Sequence, residues 1–185
     1  REKNARHALI EDWLGLVLER DILVFANLKP DPDLAREILQ QIAVLPDPNL
    51  ASICKAVAAP VRTVMRQLLM LEQLFVITSV RSNKLGSGKT LYYLCDPSLA
   101  THLGASTGRK LQTWLWLEQL SQREYQGASR AGLSYYRSAR GGIIDCVVET
   151  PQKKTAALKV ISREGFDLRD LEILNAYAEK AEANG

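Results

Sequence analysis

The chain has 185 residues, of which 46% are hydrophobic and 24% charged, and its formal net charge is +3. This is the composition of an ordinary soluble globular protein, and the length suffices for two compact domains. No stretch approaches the roughly 18 consecutive apolar residues that span a bilayer, and the charged first residues lack the apolar core of a signal peptide. We therefore expect a cytoplasmic protein with no membrane partner.

Cysteine and histidine usage argues against metal chemistry. The three cysteines, Cys54, Cys95 and Cys146, are far apart and embedded in apolar segments, which is typical of buried thiols in a reducing compartment. The two histidines, His7 and His102, have no Cys or His partner at ligand spacing. The sequence predicts no metal site and no cofactor.

The first part of the chain has a helical pattern. Prolines 30 and 32 end the first helical segment because each disfavours helical backbone in the residue before it. Asp33 is predicted to cap a second helix, 34–44. A first helix or helix pair is predicted over 5–25. The apolar residues that recur there at helical spacing are Leu9, Trp13, Leu16, Val17 and Ile22.

Two further helices follow the next prolines. Asn49 is a good N-cap for a helix over 50–57, and Pro60 is well placed to open another over 61–71. In that second helix the predicted apolar stripe consists of Val61, Val64, Met65, Leu68 and Leu69. The stripe leaves the opposite face to Arg62, Thr63, Arg66 and Gln67.

After these helices the pattern becomes extended. Two β-prone runs, 75–80 and 90–94, flank the basic stretch 81–89, which predicts a β-hairpin. Two short helices, a turn and a basic hairpin together predict a winged helix. The stretch 49–94 carries six basic residues and one acid, whereas the whole chain carries only +3.

The concentrated positive charge predicts double-stranded DNA as the partner. The second helix would enter the major groove, and the hairpin would contact backbone phosphates. The residues predicted to read the groove are Arg62, Thr63, Arg66 and Gln67. The residues predicted to contact phosphates are Arg81, Lys84 and Lys89.

The run Gly86-Ser87-Gly88-Lys89-Thr90 resembles the end of a nucleotide-binding phosphate loop. The full pattern needs a glycine five residues before Gly88, and Asn83 stands there. A phosphate loop must also lead into a helix, whereas the residues from Thr90 on are β-prone. We interpret this run as a glycine-rich turn of the hairpin.

The small polar stretch 104–108 is the best linker in the sequence, so we predict domains at 1–104 and 109–185. The second domain begins with a tryptophan-rich helix, 109–121. Three extended runs then follow, 133–138, 143–149 and 155–162. Asp167 caps a last helix, 168–182, whose predicted core face comprises Leu168, Leu171, Leu174, Tyr177 and Ala178. The fold class is therefore α+β.

Several short patterns occur together in order. They are Trp13 with Glu19-Arg20-Asp21, the run 92–99, and Leu133–Arg137 leading into Ile144–Glu149. In this respect the chain resembles the C-terminal half of a large group of bacterial and archaeal AAA-type ATPases. The resemblance implies a winged helix followed by a restriction-endonuclease-like domain. It also implies an ATPase domain that this sequence lacks, so the chain would be a fragment or a truncated relative.

Nucleases of that fold hold a divalent metal with a helix acid, a strand Asp and an acid-any-lysine pair. The resemblance places Asp145 at the strand Asp and Gln112 at the helix acid. On the third strand two registers are possible, and in either one Lys159 is present without a carboxylate partner. One Asp beside a lysine is a poor magnesium ligand set. We therefore expect a degenerate nuclease fold without catalytic activity, or an Asp145–Lys159 ion pair that only braces the sheet.

An alternative function is a protein-interaction scaffold, because a winged helix does not fix a function. Trp114 and Trp116 lie two residues apart on a predicted helix and cannot both face one core. One of them is expected to be exposed and to mark a contact surface, unless both lie at the edges of a wide apolar face.

Overall fold

A computed structural model describes residues 2–150, 154–164 and 167–183, and side chains from Ala5 on. Within these ranges the chain is a mixed α+β protein with seven α-helices and two small antiparallel sheets. The helices are α1 (Glu2–Glu19), α2 (Pro32–Val44), α3 (Leu50–Ala56), α4 (Val61–Gln73), α5 (Pro97–His102), α6 (Thr107–Tyr125) and α7 (Leu168–Glu182). The strands are β1 (Ile77–Val80), β2 (Leu91–Leu94), β3 (Leu133–Arg137), β4 (Ile143–Glu149) and β5 (Thr155–Leu158). No described helix combines the length and hydropathy that a bilayer crossing requires.

The chain divides into two compact units. The first comprises the residues up to Ser79 together with Leu91–Thr113, and the second comprises Val80–Thr90 together with the residues from Trp114 on. This division lies inside α6 and after the predicted linker, 104–108. The linker prediction missed the start of α6, where the Ser106 hydroxyl accepts a hydrogen bond from the Arg109 N–H at 3.3 Å.

Side-chain caps set the starts of several helices. Asn49 caps α3 in a capping box with Ser52, and Asp167 caps α7 in the same way with Asp170, as predicted for both caps. The predicted cap Asp33 of α2 is wrong, because Asp31 accepts the Leu34 N–H and Pro32 opens the helix. Proline suits that first helical position since its missing N–H has no partner there.

The core of the first unit lies between α1, α2, α3 and α4. Leu14 and Leu18 of α1 meet Ile38 and Ile42 of α2 in one buried cluster that Leu68 of α4 joins. Burial of such side chains stabilises the unit by about 1.5–3 kcal/mol each.

Only part of the apolar set whose spacing predicts the first helical segment is buried. Val17 and Ile22 are buried, whereas Leu9, Trp13 and Leu16 are exposed. Leu14 and Leu18, which lie outside that set, are buried as well. Both sets have helical spacing, so periodicity alone does not separate them.

The second unit is built on a sheet with the strand order β3-β4-β5. Leu133 pairs with Val148 across β3 and β4, and Cys146 pairs with Leu158 across β4 and β5. The third strand ends at Leu158, earlier than predicted. In α7, Tyr177 is buried as predicted, whereas Leu168, Leu171 and Ala178 are exposed. The cluster beneath α7 consists of Tyr136, Ile144, Val147 and Tyr177.

Candidate nucleic-acid interface

Helix α4 presents a polar and an apolar row to solvent. It begins at Val61 as predicted, with Pro60 as its N-cap, and Val64, Leu68 and Leu71 face the core. The predicted burial of Val61, Met65 and Leu69 is wrong, since these side chains are 55%, 46% and 48% exposed. The helix carries more apolar residues than one buried stripe can hold, and this excess is the sequence signal that could have revealed an exposed row.

The basic residues of this helix lie on the same outward arc. Arg62 is exposed, and Arg66 and Thr63 are half-buried. Among the residues with described side chains, neither guanidinium has a hydrogen-bond or ion-pair partner. Lys55 on α3 is exposed as well. The face therefore offers unneutralised positive charge to a ligand.

The predicted contact of Gln67 with DNA is wrong, because Gln67 is fully buried. Its side-chain oxygen accepts the Asp31 N–H at 3.3 Å, and its Nε2 donates to the Lys29 carbonyl at 3.2 Å. Gln67 thus ties α4 to the turn before α2. Sequence pattern could not show this, because the partners are backbone groups 36 and 38 residues away.

The basic residues 81–89 belong to a segment that packs on the sheet of the second unit. Ser82 and Tyr135 form a parallel bridge. The Asn83 N–H donates to the Tyr135 carbonyl at 2.6 Å, and the Ser87 N–H donates to the Arg137 carbonyl at 2.9 Å. The backbone of the predicted hairpin loop is therefore fixed along β3. The side chains of Arg81, Lys84 and Lys89 remain exposed.

The glycines of this segment are explained by close packing. A Cβ on Gly88 would overlap the Tyr135 hydroxyl and lie 2.8 Å from the Ser82 Oγ. A Cβ on Gly86 would lie 3.0 Å from the Arg137 carbonyl oxygen. The Tyr135 hydroxyl also donates to the Lys89 carbonyl at 2.5 Å. Close packing therefore accounts for the two glycines that make this run resemble a phosphate loop.

The three positions matched to a nuclease site make backbone or arginine contacts. The Asp145 Oδ2 accepts the Val160 N–H at 2.7 Å, and the Lys159 Nζ donates to the Ile143 carbonyl at 2.9 Å. Both contacts join β4 to the chain just past the end of β5. Gln112, counted in the first unit, accepts a hydrogen bond from Arg109 at 2.9 Å.

Metal-binding geometry is not found in the described part of the chain. No group of three or more His, Cys, Asp or Glu side chains there could hold a metal ion. Beside Asp145, burial raises the pKa of the Cys146 thiol to about 12, so this cysteine stays protonated at neutral pH.

Two buried arginines were not anticipated from the sequence. Arg109 donates to the Ile42 and Tyr92 carbonyls at 3.0 and 3.3 Å and lies 4.5 Å from the centroid of the Tyr93 ring. Arg123 donates to the Ser129 carbonyl at 3.0 Å and to those of Gly132 and Glu149. Local sequence pattern carries no signal of the more distant acceptors, which lie 67 residues from Arg109 and 26 residues from Arg123.

The two neighbouring tryptophans of α6 have different environments. Trp116 is buried, whereas Trp114 is 52% exposed. The spacing of two residues accounts for this difference, because it turns the side chains about 200° apart on a helix.

No protein-family model, curated protein or solved structure matches this chain. Function is therefore inferred from the geometry and charge of the chain's own residues.

Proposed function

We propose that this chain is a non-catalytic, DNA-contacting module in which α3, α4 and the β1–β2 hairpin act as a winged helix. Helix α4 would lie in the major groove, with Arg62, Thr63 and Arg66 toward the duplex. Under the resemblance given above, the module belongs to the C-terminal part of a cytoplasmic AAA-type ATPase, and the second unit is a degenerate restriction-endonuclease-like domain.

The observation that carries the proposal is the pair of unneutralised guanidinium groups on the outward arc of α4. Arg62 and Arg66 are four residues apart and so project from the same side of the helix. Duplex DNA presents a dense line of phosphates that attracts such groups. Helix α4 contains one acid, Glu72. Its carboxylate accepts a hydrogen bond from the Ser79 N–H at 2.9 Å and does not pair with either arginine.

The lysines of the segment 81–90 support the proposal in a different way. The backbone of this segment is held by hydrogen bonds to β3, so Lys84 and Lys89 extend from a fixed base. A fixed base reduces the entropy cost when a flexible side chain binds a phosphate. These lysines are therefore suited to contacts with backbone phosphates, which carry no base specificity.

A protein-interaction scaffold is the second candidate function. The exposure of Val61, Met65 and Leu69 favours it, because an apolar row on a solvent face is typical of protein contacts. Trp114, exposed on α6, favours it too. In this alternative the arginines would form the polar rim of a protein interface.

A salt titration of DNA binding tests the proposal. Fluorescence anisotropy with a random duplex should give an affinity that falls steeply with salt, and Arg62→Ala with Arg66→Ala should weaken binding. Each phosphate that a cationic side chain no longer neutralises lowers the slope of log affinity against log salt by about one. The double variant removes two cations from the groove and should therefore lower the affinity, and lower the slope by at most about two.

Arg140→Ala is the matched control, since Arg140 is exposed in the turn between β3 and β4. This control should leave both affinity and slope near those of the unmodified chain. If the double variant also leaves both unchanged, α4 is not the DNA-contacting face. Saturable binding to a protein with no measurable duplex binding would favour the scaffold.

A further inference from the structure

The exposed apolar row of α4 is regular. Val61, Met65 and Leu69 are each four residues apart, and each keeps roughly half of its surface in solvent. Positions four apart on a helix lie nearly above one another. The three side chains therefore form a continuous strip of methyl and thioether groups that the core of the first unit does not use.

This strip runs beside the arginine row. A helix turns about 100° per residue. Arg62 comes directly after Val61, and Arg66 directly after Met65, so each arginine is turned about 100° around the axis from a residue of the strip. The outward arc thus has an apolar half and a cationic half. A ligand that covers this arc must offer methyl-sized apolar groups next to negative charge or hydrogen-bond acceptors.

The major groove of B-form DNA has this pairing of features. Thymine carries a C5-methyl group at the groove edge, guanine carries two acceptors that match arginine, and phosphates line both sides. RNA lacks the thymine methyl, and its deep, narrow major groove does not admit a helix. Among the residues with described side chains, no acid pairs with Arg62 or Arg66, and this charge favours a polyanion over an apolar protein surface.

We infer that α4 recognises pyrimidine C5-methyl groups in the major groove of duplex DNA through Val61 and Met65. The inference rests on the proposed DNA-contacting function and names the chemical feature that the same site reads. Recognition helices contact bases mainly with their N-terminal residues. Val61 and Met65 lie in the first half of α4, whereas Leu69 lies toward its end and would cover the groove wall.

Methyl recognition can be separated from DNA binding with four duplexes. Two alternate adenine with thymine or with uracil, and two alternate guanine with cytosine or with 5-methylcytosine. The two duplexes of each pair differ in composition only by the pyrimidine C5-methyl group. The methylated duplex of each pair should bind more tightly, by about fourfold for each methyl group that the helix covers.

Met65→Ala should reduce this preference by about fourfold, the effect of one methyl group, while leaving the salt slope unchanged, because the arginines remain. Phe75→Ala is the control, since Phe75 is 75% exposed but lies outside α4. This control should keep the methyl preference. Circular dichroism establishes that each variant is folded, and Val61→Ala serves as a second variant with the same expected loss of preference if Met65→Ala unfolds.

The outcomes are distinguishable. Salt-dependent binding that is equal within both duplex pairs overturns methyl recognition and leaves the proposed function standing. Failure to bind any of the four duplexes contradicts the proposed function itself. A methyl preference that is undiminished in both Met65→Ala and Val61→Ala would show that other side chains bind the methyl groups and would overturn the inference for α4.

Discussion

Gln67 shows how one buried amide can fix a turn of the chain. It receives one backbone hydrogen bond from Asp31 and gives another to Lys29, with no exposure to solvent. A buried polar group that loses its partner costs about 1–3 kcal/mol. The position therefore contributes to folding rather than to the solvent-facing chemistry of α4.

Replacement of Gln67 by alanine should lower the free energy of unfolding by about 1–3 kcal/mol, because the Asp31 N–H and the Lys29 carbonyl lose their partner. Urea denaturation measures the change. Gln73→Ala, an exposed position on the same helix, should change stability by less than about 0.5 kcal/mol. Equal effects at the two positions would contradict the role assigned to Gln67.

Two glycines provide a second test at single positions. Gly88→Ala places a methyl group against the buried Tyr135 side chain and should destabilise by about 1–3 kcal/mol. Gly15→Ala, inside α1 with nothing within 4 Å of the added Cβ, should stabilise by about 0.5–1 kcal/mol. Thermal unfolding of both variants distinguishes close packing from a general effect of replacing glycine.

At the scale of elements, one carboxylate joins three helices of the first unit. Glu11 of α1 lies 2.6 Å from Arg36 of α2 and 2.6 Å from the Nε2 of His102 of α5. The hydrogen bond from Arg36, and then that from His102, lowers the pKa of Glu11 below its usual 4.5. This lowered pKa couples the packing of the three helices to pH.

The sign of this coupling follows from the lowered pKa. Folding favours the ionised carboxylate, so the contribution is present above pH 4.5 and is lost as pH falls through the folded-state pKa. Glu11→Gln should therefore be less stable than the unmodified chain at about pH 6, and the difference should shrink toward about pH 3. Urea denaturation across this range measures the difference, with Glu19→Gln on the same helix as the control. A difference independent of pH would contradict the ionic role.

At the scale of the whole molecule, positive charge is unevenly distributed along the chain. The stretch 49–94 has a surplus of five basic residues in a chain of net charge +3, so the remainder sums to −2. In the second unit, Asp145 and Lys159 make backbone hydrogen bonds at the end of the β4–β5 pair. Each of the two hydrogen bonds joins β4 to the chain just past the end of β5.

This arrangement predicts that the chain does not cleave DNA. Supercoiled plasmid incubated with the protein and Mg²⁺ or Mn²⁺ should remain uncut, because hydrolysis of this type needs several oxygen ligands to hold the metal. Agarose gel electrophoresis reports nicking directly. Metal-dependent nicking that disappears in Asp145→Asn would show that the site is active.

The sequence by itself determined the features that depend on neighbouring residues. The caps Asn49 and Asp167, the helices that follow them and the strand 143–149 were predicted correctly, because capping and β propensity depend on residues close together in the sequence. Helix geometry allowed two arrangements of Trp114 and Trp116, and the structure has the one in which only Trp114 is exposed.

Only the tertiary structure decided which faces are buried and what the segment 81–90 packs against. On α1 and α4 several apolar rows have helical spacing, and long-range packing buried Leu14 and Val64 but left Leu9 and Met65 exposed. The backbone partners of Gln67, like the contact of Gly88 with Tyr135, lie tens of residues away. Such contacts depend on the folded arrangement of distant segments, which local pattern does not encode.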